Sequence, residues 1–244
     1  MRYLKRAPRL ARAAIARLNA LDGSDGIAAD GTAGEGSEAA LERPLRLQDR
    51  RVETVAAFLR DSAAKSVVDI GCGDGDLLAA LSREPRIERL VGVDVSMREL
   101  ERARERLSRV AMPVSRRERI KLFQSSLLYA DRRLQGIDAA AILEVIEHID
   151  AERLSTLERV LFGIMRPRLA VMTTPNREYN VLFPALTGGR LRHADHRFEW
   201  TRAEFAAWAN DVAVRFEYAV NFEAVGEPDP VHGPPTQMAV FRCN

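Results

Sequence analysis

Only two cysteines, Cys72 and Cys243, occur in 244 residues. That scarcity excludes a disulfide scaffold and a cysteine zinc cluster, and it suits a reducing cytoplasm. No apolar run approaches the ~20 residues needed to span a bilayer. Arg12 and Arg17 interrupt any secretory hydrophobic segment near the start. Net charge is small, +2, so global charge does not announce a nucleic-acid partner. No internal repeat is present. What remains is 46% hydrophobic and 30% charged residues, the balance of a globular chain long enough for one α/β domain with an appendage.

Charge is uneven along the chain. Residues 1–20 carry Arg2, Lys5, Arg6, Arg9, Arg12 and Arg17 without an acid, and a loose stripe of Leu4, Leu10, Ile15 and Leu18 predicts a basic helix. Residues 21–44, rich in Gly, Ala, Ser and Asp, lack periodicity and read as a flexible linker. The compact domain is expected over 45–244. Its pattern alternates: a helix over 47–60 with Val52, Val55, Ala56 and Leu59 inward, a strand over 66–70, a helix over 76–82, a strand over 90–94, an amphipathic helix over 97–107. Strands follow over 120–124 and 137–143, then a helix over 151–162 and a fifth strand over 169–173. A helix over 201–209 opens on a Thr201–Glu204 capping box, and late strands are expected over 214–220 and 238–241. Such alternation implies a doubly wound, parallel α/β sheet.

The run Val67-Val68-Asp69-Ile70-Gly71-Cys72-Gly73-Asp74-Gly75 follows the first strand and opens a helix, while Asp94 ends the second strand. Glycines let backbone approach a ligand, and an acid at that strand end can accept both hydroxyls of a ribose. Asp69 and Asp74 place negative charge where a pyrophosphate would lie, and such charge tolerates a cationic ligand better. The pattern resembles the class I S-adenosylmethionine-dependent methyltransferases. The resemblance implies a Rossmann-like, mostly parallel seven-stranded sheet. It places Asp69, Gly71, Gly73, Gly75 and Asp94 around S-adenosylmethionine, with Ser125, Ser126 and Leu127 near the adenine.

The fourth strand exits into Glu144-Val145-Ile146-Glu147-His148. If a helical turn begins there, Glu144, Glu147 and His148 face one side. Many methyltransferases carry a similar run to shape the substrate pocket, so the run alone leaves a metal role and a pocket role equally open. A second segment, Arg192-His193-Ala194-Asp195-His196-Arg197-Phe198-Glu199-Trp200, follows Thr174-Pro175-Asn176-Arg177-Glu178-Tyr179-Asn180. Both segments are expected at the carboxyl edge of the sheet, where ligands bind in such folds. His193 is a rival ligand to His196.

Together these segments resemble the small-RNA 3′-terminal 2′-O-methyltransferases of the Hua enhancer type, whose pattern pairs Glu-x-x-Glu-His with Asp-His-x-Phe-Glu-Trp. The resemblance covers residues 45–244 and implies an insert after the fifth strand. It carries over Glu144, Glu147, His148 and His196 as metal ligands and catalytic residues; His193 falls outside the pattern. Four protein ligands plus the 2′- and 3′-oxygens of a terminal ribose complete an octahedral shell, which would select RNA 3′ ends over DNA or a 3′-phosphate. One divalent ion, manganese, magnesium or cobalt, is implied, and two imidazoles favour manganese or cobalt over magnesium. RNA contacts would fall to Arg190, Arg192, Arg197 and Arg202 around the insert, with Arg116, Arg117 and Arg119 elsewhere.

The segment Gly233–Phe241 looks like the bacterial branch, whose members act in RNA repair beside a polynucleotide kinase-phosphatase with a ligase module. The chain then reads as the methyltransferase half of such a protein, and ligase activation is not assigned to it. Two rival readings remain: an O-methyltransferase of a small quinone or phenol, which calls for an apolar substrate mouth, and a non-enzymatic module that partners an RNA ligase.

Overall fold

The computed structural model describes residues 41–42, 46–186 and 189–243. The basic helix expected over 1–20 lies outside them, as does the linker expected over 21–44 apart from Leu41 and Glu42. Those two are helical and Glu42 is buried, so packing reaches further toward the start than the expected boundary at 45.

The elements are α1 (Leu47–Asp61), β1 (Ser66–Ile70), α2 (Asp76–Leu81), β2 (Arg89–Asp94), α3 (Met97–Arg109), α4 (Val114–Glu118), β3 (Ile120–Gln124), β4 (Ala139–Leu143), α5 (Leu154–Glu158), β5 (Leu169–Pro175), α6 (Arg202–Phe216), β6 (Tyr218–Val225) and β7 (Thr236–Cys243). They build a seven-stranded sheet in the order β3-β2-β1-β4-β5-β7-β6. Pairing is parallel from β3 to β5, and β7 runs antiparallel to both β5 and β6.

Side chains of each central strand alternate between two cores, as a period of two requires. Val68, Ile70, Val91, Val93 and Ile142 join Phe162 and Phe205 on one face. Val67, Leu90, Ala141 and Val171 join Leu78 and Leu100 on the other. Helix α3 forms because Leu100, Ala103 and Leu107 recur on one side and the Ser96 hydroxyl accepts the Glu99 N–H at its start. The chain winds outward in both directions from the β1–β4 pair, which opens a crevice at their carboxyl ends. Among the described residues no helix is long and apolar enough to cross a membrane.

Several boundaries differ from expectation. β4 starts at Ala139 rather than residue 137, because the Asp138 carboxylate accepts the Lys65 and Ser66 N–H groups and ends the loop there. The helix expected over 151–162 is a 3₁₀ turn (Ala151–Arg153), then α5, then a π-helical segment (Arg159–Met165). The strand expected over 214–220 is corrected. Helix α6 continues to Phe216, because Phe205, Ala209, Val212 and Ala213 keep helical spacing into the core. It stops where Glu217 turns left-handed, and β6 begins at Tyr218.

Candidate active site

β1 leads into Gly71, whose φ is +73°. The Gly71 and Cys72 N–H groups both donate to the Val93 carbonyl, at 2.8 and 3.0 Å. A Cβ on Gly71 would lie 2.5 Å from Val145 Cγ2, so the residue is glycine on steric as well as conformational grounds. The Gly73 N–H donates to Asp94 Oδ2 at 3.0 Å and the Ser96 N–H to Oδ1 at 2.7 Å, which fixes the Asp94 carboxylate at the end of β2. A cavity of about 420 Å³ opens here. Its lining includes Gly71, Asp94, Ser125, Ser126 and Leu127, together with Glu144, Val145, His148, Ile149, Asp150 and Arg153. Asp69, within β1, and Gly73 and Gly75, in the loop that follows, do not line it.

Burial, with Asp94 and Asp76 nearby, pushes the Asp69 carboxyl up to about 8, and the Asp74 carboxylate is paired with Arg106. The loop therefore carries less free negative charge than its composition suggests. The consequence for stability has a definite sign. A carboxyl raised on folding contributes stability that is complete below its unfolded value and lost as pH rises through its folded value. Wild type is expected to lose stability relative to Asp69→Asn between pH about 4 and about 8, with no further divergence above that. Thermal unfolding of both proteins across pH 5 to 9 checks this; parallel curves would contradict it.

The Glu144–His148 run does not form one face. Glu144 has φ +51° and precedes the 3₁₀ turn Ile146–His148. A non-glycine residue there stores on the order of 1–3 kcal/mol of strain. The Glu144 N–H donates to the Thr173 carbonyl at 3.2 Å, its Oε1 accepts from Thr173 Oγ1 at 2.8 Å, and its Oε2 lies 2.8 Å from Arg51 Nη2. Glu147 is fully buried, with Oε2 accepting from Thr174 Oγ1 at 3.1 Å and its carbonyl accepting the Arg197 N–H at 2.7 Å. His148 is exposed toward the cavity. The expected shared face is therefore absent: the left-handed residue swings Glu144 off the turn.

The insert brings in the other histidines. Ring centroids are 4.8 Å apart for His148–His196, 5.7 Å for His148–His193 and 5.5 Å for His193–His196. Among the described residues, these three offer ligand atoms all within 4.8 Å of one another; Glu144 and Glu147 fall outside that group. The two insert histidines differ in hydrogen bonding. His196 Nδ1 lies 2.7 Å from Glu199 Oε1, so Nδ1 carries the proton and Nε2 keeps a lone pair. His193 Nδ1 accepts the Asp195 N–H at 3.0 Å, which puts the proton of the neutral ring on Nε2. As neutral rings the two therefore differ in tautomer, with Nε2 an acceptor in His196 and a donor in His193. Loss of solvation, with His196 and His193 beside it, holds His148 down at about 4, so its imidazole is neutral at neutral pH. Burial pushes Glu199 up, but bonds from His196, the Arg192 N–H and Asn180 outweigh it and leave the carboxyl below its ordinary value.

The expected RNA-binding arginines divide. Arg190 and Arg197 are exposed, and Arg197 Nε lies 3.4 Å from Asp150 Oδ1 at the cavity mouth. Arg202 holds Glu178 and the Val231 carbonyl. Arg192 is corrected: it is 2% exposed, bonded to Asn180 Oδ1 and to the Asn176 and Pro235 carbonyls, and no RNA can reach it. Arg116, Arg117 and Arg119 precede β3 at the amino edge of the parallel strands, away from the cavity. Sequence reasoning missed Arg51, Arg153 and the structural part of Glu199. Arg51 had a signal, since it shares the Leu47–Val55–Leu59 stripe of α1; it is buried there, whereas Val52 is only partly so.

Comparison with known proteins follows the same lines. A family model described as a methyltransferase domain matches residues 67–168. A small RNA 2′-O-methyltransferase of Rattus norvegicus is 38% identical over 218 residues, which is 85% of this chain and 55% of that protein. The chain thus spans about half the length of the curated relatives it matches. The crystal structure of the methyltransferase domain of bacterial CtHen1 is 49% identical with a TM-score of 0.73, covering 80% of this chain and 99% of that one. A chain of the Pnkp1/Rnl/Hen1 RNA repair complex shares the fold, with a TM-score of 0.56 at 19% identity over 80% of this chain and 41% of that one.

Proposed function

The chain belongs to the small RNA 2′-O-methyltransferase family, and from that premise we propose that it transfers a methyl group from S-adenosylmethionine to the 2′-hydroxyl of a 3′-terminal RNA nucleotide. The observation that carries this reading is one cavity whose lining includes both Gly71 and Asp94 and both Glu144 and His148. A methyl donor held by the first pair and an acceptor hydroxyl held by the second would meet inside it.

S-adenosylmethionine supplies an electrophilic methyl on sulfur. Gly71 leaves room for its approach, Asp94 has acceptor capacity for ribose hydroxyls, and Leu127 offers an apolar wall. The donors that would hold a divalent ion are the imidazoles of His148 and His196, whose ring centroids are 4.8 Å apart, with the carboxylates of Glu144, ahead of the 3₁₀ turn, and Glu147, within it. Such an ion acidifies a ribose hydroxyl, which is otherwise a poor nucleophile. Glu199 orients His196 for that task, and His193 adds a hydrogen-bond donor beside it. Arg153 and Arg197 bring basic charge suited to a phosphodiester chain, partly offset by Asp150, which lies 3.7 and 3.4 Å from them.

Terminal 2′-O-methylation removes the nucleophile for attack on the adjacent 3′-phosphodiester after an end is sealed. This chemistry supports a repair role in which a polynucleotide kinase-phosphatase with a ligase module heals and seals the same ends. Labelled methyl transfer to an RNA oligonucleotide tests the metal part. Turnover is expected to vanish after chelation and to return better with manganese or cobalt than with magnesium. Turnover that survives chelation would rule the ion out.

A further inference from the structure

Glu42 is the residue whose surroundings depart furthest from its sequence context. It follows an acidic, glycine-rich stretch, yet it is only 6% exposed. Its carboxylate takes a two-point grip on Arg51, with Nη1 to Oε2 at 2.7 Å and Nη2 to Oε1 at 2.8 Å. Its Oε1 also accepts from Arg192 Nη1 at 3.1 Å. Arg51 Nε donates to Thr236 Oγ1 at 3.1 Å, so the guanidinium plane is fixed from three sides.

Both arginines lead into the proposed ion site. The Arg51 Nη2 that grips Glu42 also lies 2.8 Å from Glu144 Oε2. The Arg192 backbone N–H donates to Glu199 Oε1 at 2.6 Å, the oxygen that holds His196 Nδ1 at 2.7 Å. Glu42 is therefore one residue removed from Glu144 on one side and two removed from His196 on the other.

We infer that Glu42 is a positioning residue for the divalent-ion site, holding Arg51 in a shared position so that Glu144 keeps carboxylate capacity for a cation, and bracing Arg192 behind Glu199 and His196. This rests on the ion proposed above. A guanidinium and a divalent cation compete for the same carboxylate oxygens. With two carboxylates, Arg51 directs its paired N–H groups at Glu42 and one at Glu144. With Glu42 neutral, Arg51 leans harder on Glu144, and a cation must then displace it.

The test is manganese binding by isothermal titration on the full chain, with S-adenosylhomocysteine affinity and thermal unfolding measured alongside. Glu42→Gln is expected to weaken manganese binding at least about tenfold, the range for residues that support metal ligands, with cofactor affinity kept within about twofold. Glu42→Asp is expected to fall between, and it carries the test if Glu42→Gln loses cofactor binding. Adding Arg51→Gln to Glu42→Gln should restore most of the manganese affinity, because it removes the competitor. Unchanged manganese affinity in Glu42→Gln, or a loss that Arg51→Gln does not relieve, overturns the inference and leaves Glu42 a structural brace. Wild type that takes up no manganese overturns the ion reading itself, and this inference with it.

Discussion

His196→Ala is expected to lower methyl transfer to RNA by about a hundredfold or more while S-adenosylhomocysteine binds within about twofold of wild type. The separation follows from the layout of the cavity. Gly71, Asp94 and Ser125–Leu127 line the cavity, whereas His196 does not line it and stands against His148, with ring centroids 4.8 Å apart. His196 is 5% exposed and its Nδ1 lies 2.7 Å from Glu199 Oε1, which fixes the orientation of the ring. Glu199→Gln keeps the shape and weakens the hold, and should give a smaller loss of about tenfold. Single-turnover methyl transfer beside cofactor titration checks both. Near-normal turnover in His196→Ala would remove this histidine from the chemistry and leave the cluster a packing feature.

Gly71→Ala should abolish most cofactor binding. The new Cβ would sit 2.5 Å from Val145 Cγ2, and φ +73° is a conformation that alanine adopts only at a cost of roughly 1–2 kcal/mol. Relief of both requires the loop to move, and the loop is tied at its start by two N–H groups on the Val93 carbonyl. A loss of about a hundredfold in S-adenosylhomocysteine affinity is expected, equivalent to roughly 3 kcal/mol. Val145→Ala added to Gly71→Ala opens the space but leaves the backbone strain, so it should recover part of the loss. Full affinity in Gly71→Ala would mean that the loop adjusts freely and does not set the cavity wall.

Much of this was legible in the sequence where local chemistry decides the outcome. β1 falls at Ser66–Ile70 as expected, because an apolar run ends in glycines that cannot continue a strand. The α6 start was readable from Thr201 and Glu204, whose reciprocal cap is local. Its end was not. Val214 lies in a run that alternates like a strand, but the helix is extended by packing of Val212 and Ala213 on the sheet. Side-chain roles set by distant partners were the least readable. Arg192 looks like a surface base among its neighbours in sequence, and its burial depends on Glu42, which is 150 positions away. The Glu144–Glu147–His148 spacing suggested a single helical face, but Glu144 is left-handed and held by Arg51 and Thr173. His193 enters the cluster only because the insert folds back so that the Arg197 N–H reaches the Glu147 carbonyl.

The central claim is that one cavity aligns a methyl donor with the 2′-hydroxyl of an RNA end. The most direct measurement offers labelled S-adenosylmethionine to one RNA sequence with four terminal forms: 2′,3′-dihydroxyl, 2′-deoxy, 3′-phosphate and already 2′-O-methylated. Periodate treatment then reports whether the terminal diol has been consumed. The account predicts label in the dihydroxyl RNA alone, together with resistance of that end to periodate. Label in the 2′-deoxy RNA, or labelled RNA that remains periodate-sensitive, would contradict it.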